Sequence, residues 1–263
     1  MKYKLVVLDV DGTLLNSQGG LPKRHKQIIQ RLQSSGIQIV LATGRYYMQT
    51  TEIINELNYE GFLVTNDGAA VIDSKSKLVV HENSFSINEV SHYIKACRSR
   101  NIQCAAVTAF YYYVESISEE HKRNCREYGV DYILCDDLLN LTESVMKFSI
   151  MDTSKVGGWQ DLALSTNLRI RIDGEYWKEI LQCNATKTNG LKAILNKLNI
   201  KASEMIAIGD YYNDLDMIDF AGMGIAMGNA PEDVKSRAND VTCSNDEDGV
   251  YHSIMKHVYS YNY

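Results

Sequence analysis

Four apolar residues, Leu5-Val6-Val7-Leu8, run directly into Asp9, and Asp11 follows two positions later, ahead of Gly12-Thr13. Two carboxylates at the end of a buried run are costly unless a metal ion, a cationic side chain or a reaction uses their charge. One carboxylate can attack a phosphoryl or acyl centre and form a covalent intermediate. A second can give a proton to the leaving group and later take one from water. The same residues also suit a plain strand followed by an Asp-Gly turn. Met205-Ile206-Ala207-Ile208-Gly209 runs into Asp210 in the same way, and Asp214 lies one helical turn further on. Asp9 with Asp210 makes an oxygen-rich pocket suited to a hard cation, and Mg²⁺ is the natural candidate. Read alone, residues 210–216 also fit a loop and helix start with Asp and Asn as caps, a reading that suits Asp216 and Asp219 better than Asp210. Thr43-Gly44-Arg45 closes a third apolar run, Ile37–Ala42, and a hydroxyl with free amides there would cradle an anion. Lys187, near a helix start, would place an ammonium on that anion, although a single lysine is ordinarily a surface residue.

These residues converge only if their strands are parallel neighbours. The apolar runs at 5–8, 37–42 and 61–65 alternate with helical patterns at 22–34 and 48–57, which predicts β-α-β-α-β and a doubly wound, mainly parallel Rossmann-like sheet. Ligands then bind outside the carboxyl ends of the strands. Ala70–Asp73 and Lys77–Val80 flank Ser74-Lys75-Ser76 as a hairpin. The β/α alternation returns at 186–198 and runs through strands at 205–210, 223–227 and 240–243 to a last helix at 248–259. Between lies a stretch of different texture. Helices are expected near 87–100, 119–128 and 158–165, and strands at 105–115, 146–151, 168–172 and 176–182. The resulting expectation is an α/β core domain from 1–82 and 185–263, interrupted by an inserted α+β domain at 83–184.

At 263 residues and 45% hydrophobic, the chain can bury cores of this size. A net charge of −6 with no basic stripe argues against a nucleic-acid partner. No apolar run approaches the roughly 18–20 residues of a membrane span. The start of the chain lacks a signal-peptide cleavage pattern, so a cytoplasmic location is expected. The six cysteines are scattered without a C-x-x-C pair, which disfavours a disulfide framework or a zinc site.

In order and spacing, these residues resemble the haloacid dehalogenase superfamily of phosphatases. Asp9-Val10-Asp11-Gly12-Thr13, Thr43-Gly44-Arg45, Lys187 and Gly209-Asp210-Tyr211-Tyr212-Asn213-Asp214 match its four motifs. The position of the insertion, Asn66-Asp67-Gly68-Ala69, Ala226-Met227-Gly228-Asn229-Ala230 and Glu247-Asp248-Gly249-Val250 resemble the Cof-like (type IIB) branch. The resemblance implies that Asp9 is a nucleophile forming an aspartyl-phosphate and that Asp11 is the general acid and base. It implies Mg²⁺ held by the Asp9 carboxylate, the Asp11 carbonyl and Asp210, with Asp214 mainly behind them. Thr43, the Gly44 amide and Lys187 would hold the phosphoryl oxygens, helped by Asn213 and the Val10 amide. Tyr211-Tyr212 and Tyr46-Tyr47 are bulkier than is usual for the family at those positions.

The inserted domain would act as a cap that contributes to substrate choice. Phe110–Tyr113, Trp159 and Trp177 offer ring-stacking surface, but alternating tyrosines on a strand more often pack. Arg169 and Arg171 alternate on one strand face, either contacting a second anionic group or, the favoured reading, facing solvent. The expected partner is a small phosphorylated metabolite such as a sugar phosphate, with the chain a monomer or weak homodimer. A phosphomutase of the same superfamily and a non-catalytic phospho-ligand sensor are the alternatives.

Overall fold

The computed structural model describes residues 2–260. It contains two sheets. The larger has eight strands: β1 (Leu5–Leu8), β2 (Gln38–Ala42), β3 (Phe62–Thr65), β4 (Ala70–Asp73) and β5 (Leu78–Glu82), then, after a long excursion, β12 (Met205–Gly209), β13 (Met223–Ala226) and β14 (Asp240–Val241). Their order is β14-β13-β12-β1-β2-β3-β4-β5. All neighbours through β3 are parallel, and the hairpin β4–β5 closes one edge antiparallel.

β1 is continuously apolar because both of its faces are covered. Val6 and Leu8 pack with α1 (Lys23–Ser34), α2 (Thr51–Leu57) and α8 (Gly249–His257). Leu5 and Val7 pack with α5 (Lys187–Leu198) and α6 (Leu215–Phe220) on the other side. Alternation along the strand thus feeds two cores at once. The short α7 (Glu232–Arg237) lies between β13 and β14. No helix among the described residues is long and apolar enough to cross a membrane.

The excursion between β5 and α5 forms the second sheet, ordered β10-β11-β9-β6-β7-β8. Its strands are β6 (Gln103–Val107), β7 (Tyr112–Val114), β8 (Ile133–Leu134), β9 (Lys147–Met151), β10 (Leu168–Asp173) and β11 (Trp177–Gln182), with α3 (Ser91–Arg100) and α4 (Glu119–Glu127). Phe148, Ile150 and Ile180 face the core built on α3. Lys147, Ser149, Met151, Arg171 and Glu179 line the space facing the larger sheet.

Two expected elements differ. Residues 105–115 form not one strand but β6 and β7, an antiparallel pair joined through Thr108, whose hydroxyl accepts from the Tyr111 amide at 3.1 Å. Gly158–Ser165 is not helical. Gly157 and Gly158 have φ of +69° and +84°, a region a right-handed helix excludes. Trp159 is instead buried, with its Nε1 donating to Asp152 Oδ2 at 3.2 Å. Its burial reflects a loop tied to one aspartate, and local apolar spacing mimics a helix there.

Candidate active site

β12, β1 and β2 are adjacent and parallel, so Asp210, Asp9 and Thr43 leave the sheet side by side at its carboxyl edge. The first residue of α5 joins them. Lys187 Nζ donates to Asp9 Oδ1 at 2.6 Å and to Asp214 Oδ1 at 2.5 Å, and all three residues are buried. Thr186 caps this helix, its hydroxyl accepting from the Asn189 amide at 3.2 Å. Behind the cap lies Gly68, at φ +94°, where a Cβ would sit 1.9 Å from the Thr186 carbonyl oxygen. Only glycine allows the loop after β3 to press this closely on the helix start that delivers Lys187.

The charges are strongly interdependent. Burial alone would lower the Lys187 pKa, but Asp214 and then Asp9 hold it above its ordinary value. Burial, and next the charge of Asp214, raise the Asp9 carboxyl well above the usual range against the pull of Lys187. Burial and Asp214 push Asp210 up to about 6. One oxygen from each of Asp9, Asp210 and Asp214 lies within 4.8 Å of the others. An all-carboxylate donor set with one ammonium among three acids fits a hard divalent cation, which would offset the charge that these pKa shifts resist. Asp214 Oδ2 already accepts from the Asp210 amide at 2.9 Å and the Tyr211 amide at 3.1 Å. With Oδ1 on Lys187, both Asp214 oxygens are engaged, and Asp210 Oδ2 accepts from Asn229 Nδ2 at the longer distance of 3.4 Å, whereas Asp9 accepts from Lys187 on Oδ1 alone. Gly12, at φ +79°, lets its loop lie against Asp210, since a Cβ there would meet Asp210 Oδ2 at 2.3 Å. Thr13 Oγ1 then donates to Asp210 Oδ1 at 3.1 Å.

Asp11 stands apart from this cluster. Arg45 grips its carboxylate with Nε at 2.9 Å and Nη2 at 2.6 Å, and its side chain is 58% exposed. Val10 is buried in the turn between the two acids. Thr43 is fully buried, its hydroxyl accepting from the Arg45 amide at 3.1 Å. Asn213 Nδ2 donates to Asp67 Oδ1 at 2.8 Å. Asp9, Asp11, Gly44, Asp210 and Asn213 open on one cavity of about 1400 Å³, whose far wall is the second sheet.

A family model for haloacid dehalogenase-like hydrolases matches residues 6–254. The chain belongs to that family. A crystal structure of a haloacid dehalogenase-like hydrolase from Bacteroides thetaiotaomicron is 32% identical, covering 97% of this chain and 99% of that one, with a TM-score of 0.87. Phosphatase YwpJ of Bacillus subtilis (strain 168) is 29% identical over 97% of this chain and 99% of its own length. From the same organism, 5-amino-6-(5-phospho-D-ribitylamino)uracil phosphatase YcsE is 28% identical over 95% of this chain and 94% of its own.

Within this haloacid dehalogenase-like hydrolase, sequence reasoning overlooked the role of three residues. Asp67 is 2% exposed, and burial alone would raise its pKa, but Arg171 and then Lys187 draw it below the ordinary value. Arg45 was legible only as part of Thr43-Gly44-Arg45, without its hold on Asp11. Arg171 corrects the solvent-facing reading of the 169–172 strand: it pairs with Asp67 of the larger sheet and donates to Glu179 Oε2 at 2.8 Å. Arg169 is likewise half-buried, its Nη2 donating to the Ala185 carbonyl at 2.6 Å. Alternation marked the shared face, but of the two acids that meet Arg171 only Glu179 is near in sequence, and Asp67 comes from a distant part of the chain.

Proposed function

We propose that this hydrolase is a Mg²⁺-dependent phosphatase acting on a small phosphorylated metabolite, in the first instance a sugar phosphate, through an aspartyl-phosphate on Asp9. The observation that carries this reading is the buried Lys187 held between Asp9 and Asp214, beside Asp210, at the edge where the parallel strands end. The names of the relatives YwpJ and YcsE, both phosphatases, support the same reaction class.

An Asp9 carboxylate oxygen attacks phosphorus, and the bond from phosphorus to the leaving oxygen breaks. Asp11 supplies the proton that the leaving oxygen takes up. Water then attacks phosphorus of the aspartyl-phosphate, Asp11 accepts its proton, and the bond from phosphorus to the Asp9 oxygen breaks, which releases inorganic phosphate and restores the Asp9 carboxylate. Lys187, Thr43, the Gly44 and Val10 amides and Asn213 hold the phosphoryl oxygens in line. Asp9, Asp210 and the Asp11 carbonyl would hold the metal, while Asp214 fixes Lys187 and the Asp210 loop. Bound Mg²⁺ supplies positive charge that offsets the phosphoryl oxygens. Arg45 keeps Asp11 at the cavity wall before substrate arrives. Residues 83–184 form a cap over the cavity that excludes water and contributes to substrate choice.

Hydrolysis of p-nitrophenyl phosphate by the parent and by Asp9→Asn, each with Mg²⁺ and with EDTA, tests this reading. The parent should turn over only with metal, and Asp9→Asn should be inactive with an unchanged far-UV spectrum. Undiminished turnover by Asp9→Asn removes the mechanism, and full activity in EDTA removes the metal.

A further inference from the structure

β10 carries a β-bulge: Ile170 pairs with Ile180 and Ile172 with Glu179, so Arg171 is the extra residue. A bulge re-aims its side chain, and bulges recur beside active sites. Here the side chain crosses the cavity to the larger sheet. Two of its three nitrogens are engaged, one by the loop after β3 and one within its own sheet. Nε forms an ion pair, not a hydrogen bond, with Asp67 Oδ2, and Nη1 donates to Glu179 Oε2 at 2.8 Å. Glu179 is itself held by Lys147 Nζ at 3.3 Å, and Lys147 Nζ also donates to the Gly44 carbonyl at 3.5 Å. The third nitrogen, Nη2, has no hydrogen-bond partner among the described residues and lies 2.9 Å from where a Cβ on Gly44 would sit. Gly44 and Arg171 line the same cavity as Asp9.

A guanidinium is a rigid planar fork, so pinning two nitrogens fixes the direction of the third. Two carboxylates hold this one with Nη2 over the Thr43-Gly44 cradle. We propose that Arg171 is a phosphate-binding residue supplied by the second sheet, its Nη2 donating to an oxygen of the phosphoryl group held at Gly44. This rests on the phosphatase reading above. A lysine at 171 retains the charge and a single ion pair to Asp67, but cannot be pinned twice and still present a donor.

The competing role is a plain latch between the two sheets. Tyr46 provides a control, because its hydroxyl donates to the Asp131 carbonyl at 3.0 Å and so joins the same two units without adding charge. The experiment is calorimetric titration of inorganic phosphate, with Mg²⁺ present, into the full-length parent, Arg171→Lys, Arg171→Ala and Tyr46→Phe. A charge-assisted hydrogen bond to phosphate corresponds to about a ten- to hundred-fold loss of affinity in both Arg171 variants. Tyr46→Phe should stay within about three-fold of the parent. The proposal is overturned if Arg171→Lys binds as the parent does, or if Tyr46→Phe weakens binding as much. A parent that neither binds phosphate nor hydrolyses p-nitrophenyl phosphate overturns the phosphatase reading instead.

Discussion

Without the ammonium of Lys187, Asp9 and Asp214 would be left as buried acids with no counter-ion between them. Breaking a buried pair in this way costs about 3–5 kcal/mol, so Lys187→Met should lower the urea midpoint of the metal-free protein by a corresponding amount. A loss under about 1 kcal/mol would show that the pocket already relaxes around two protonated acids. A ligand that binds only the folded state raises Tm. Mg²⁺ should therefore raise Tm in the parent and leave Asp210→Ala unmoved, as read by differential scanning fluorimetry. Asp9, Thr43 and Asp210 were legible in the sequence because each ends an apolar run, and parallel strands bring such ends together. Lys187 was legible only through the order of the motifs. Arg171 was legible only as one of two arginines sharing a strand face, because its partner Asp67 lies in the distant loop after β3 and no local pattern records that pairing.

Among the elements, the loop after β3 does several jobs at once. Its Gly68 abuts Thr186, and its Asp67 meets both Asn213 and Arg171. Gly68→Ala adds a left-handed φ penalty to a backbone clash and should cost more than about 2 kcal/mol in urea unfolding. Asp67 is held below its unfolded pKa of about 3.9. Its stabilisation is therefore complete above that value and is lost as pH falls through the lower folded value. Asp67→Asn should flatten this acid limb of a stability-versus-pH curve measured by urea midpoints, and an unchanged limb would assign it to other acids. β1 was readable because covered faces leave a continuous apolar run. The 158–165 segment differs from its helical expectation because its apolar spacing resembles a helix, while the positive φ of Gly157 and Gly158 and the tie of Trp159 to Asp152 hold it as a loop.

At the scale of the whole molecule, two sheets have largely separate apolar cores, one organised on β1 and the other on α3, although Ala109, Met146 and Leu181 of the excursion pack into the first. Polar contacts at 3.0–3.1 Å, such as Tyr46 with Asp131 and Gln49 with Tyr128, join them. Largely separate cores unfold as separate units even across a mixed seam, here with the Tyr47 ring against Phe110 at 5.2 Å beside the polar contacts. Calorimetry should resolve two transitions, with Gly68→Ala moving chiefly the one that belongs to the larger sheet. A single transition whose calorimetric and van't Hoff enthalpies agree would mean that the seam couples them fully.

Gly68 also marks where the chain departs and returns. Asn83 reaches it from one side, donating from Nδ2 to the Gly68 carbonyl at 3.0 Å, while Thr186 presses on it from the other. The exit and the re-entry are thus neighbours, although about a hundred residues separate them. A segment tethered at two adjoining points imposes almost no distance requirement on its host. Its length and internal architecture are free to change while the strand order beneath stays the same. In such a chain the segment between Asn83 and Thr186 hangs from a single bracket, and Gly68 is where that bracket bears.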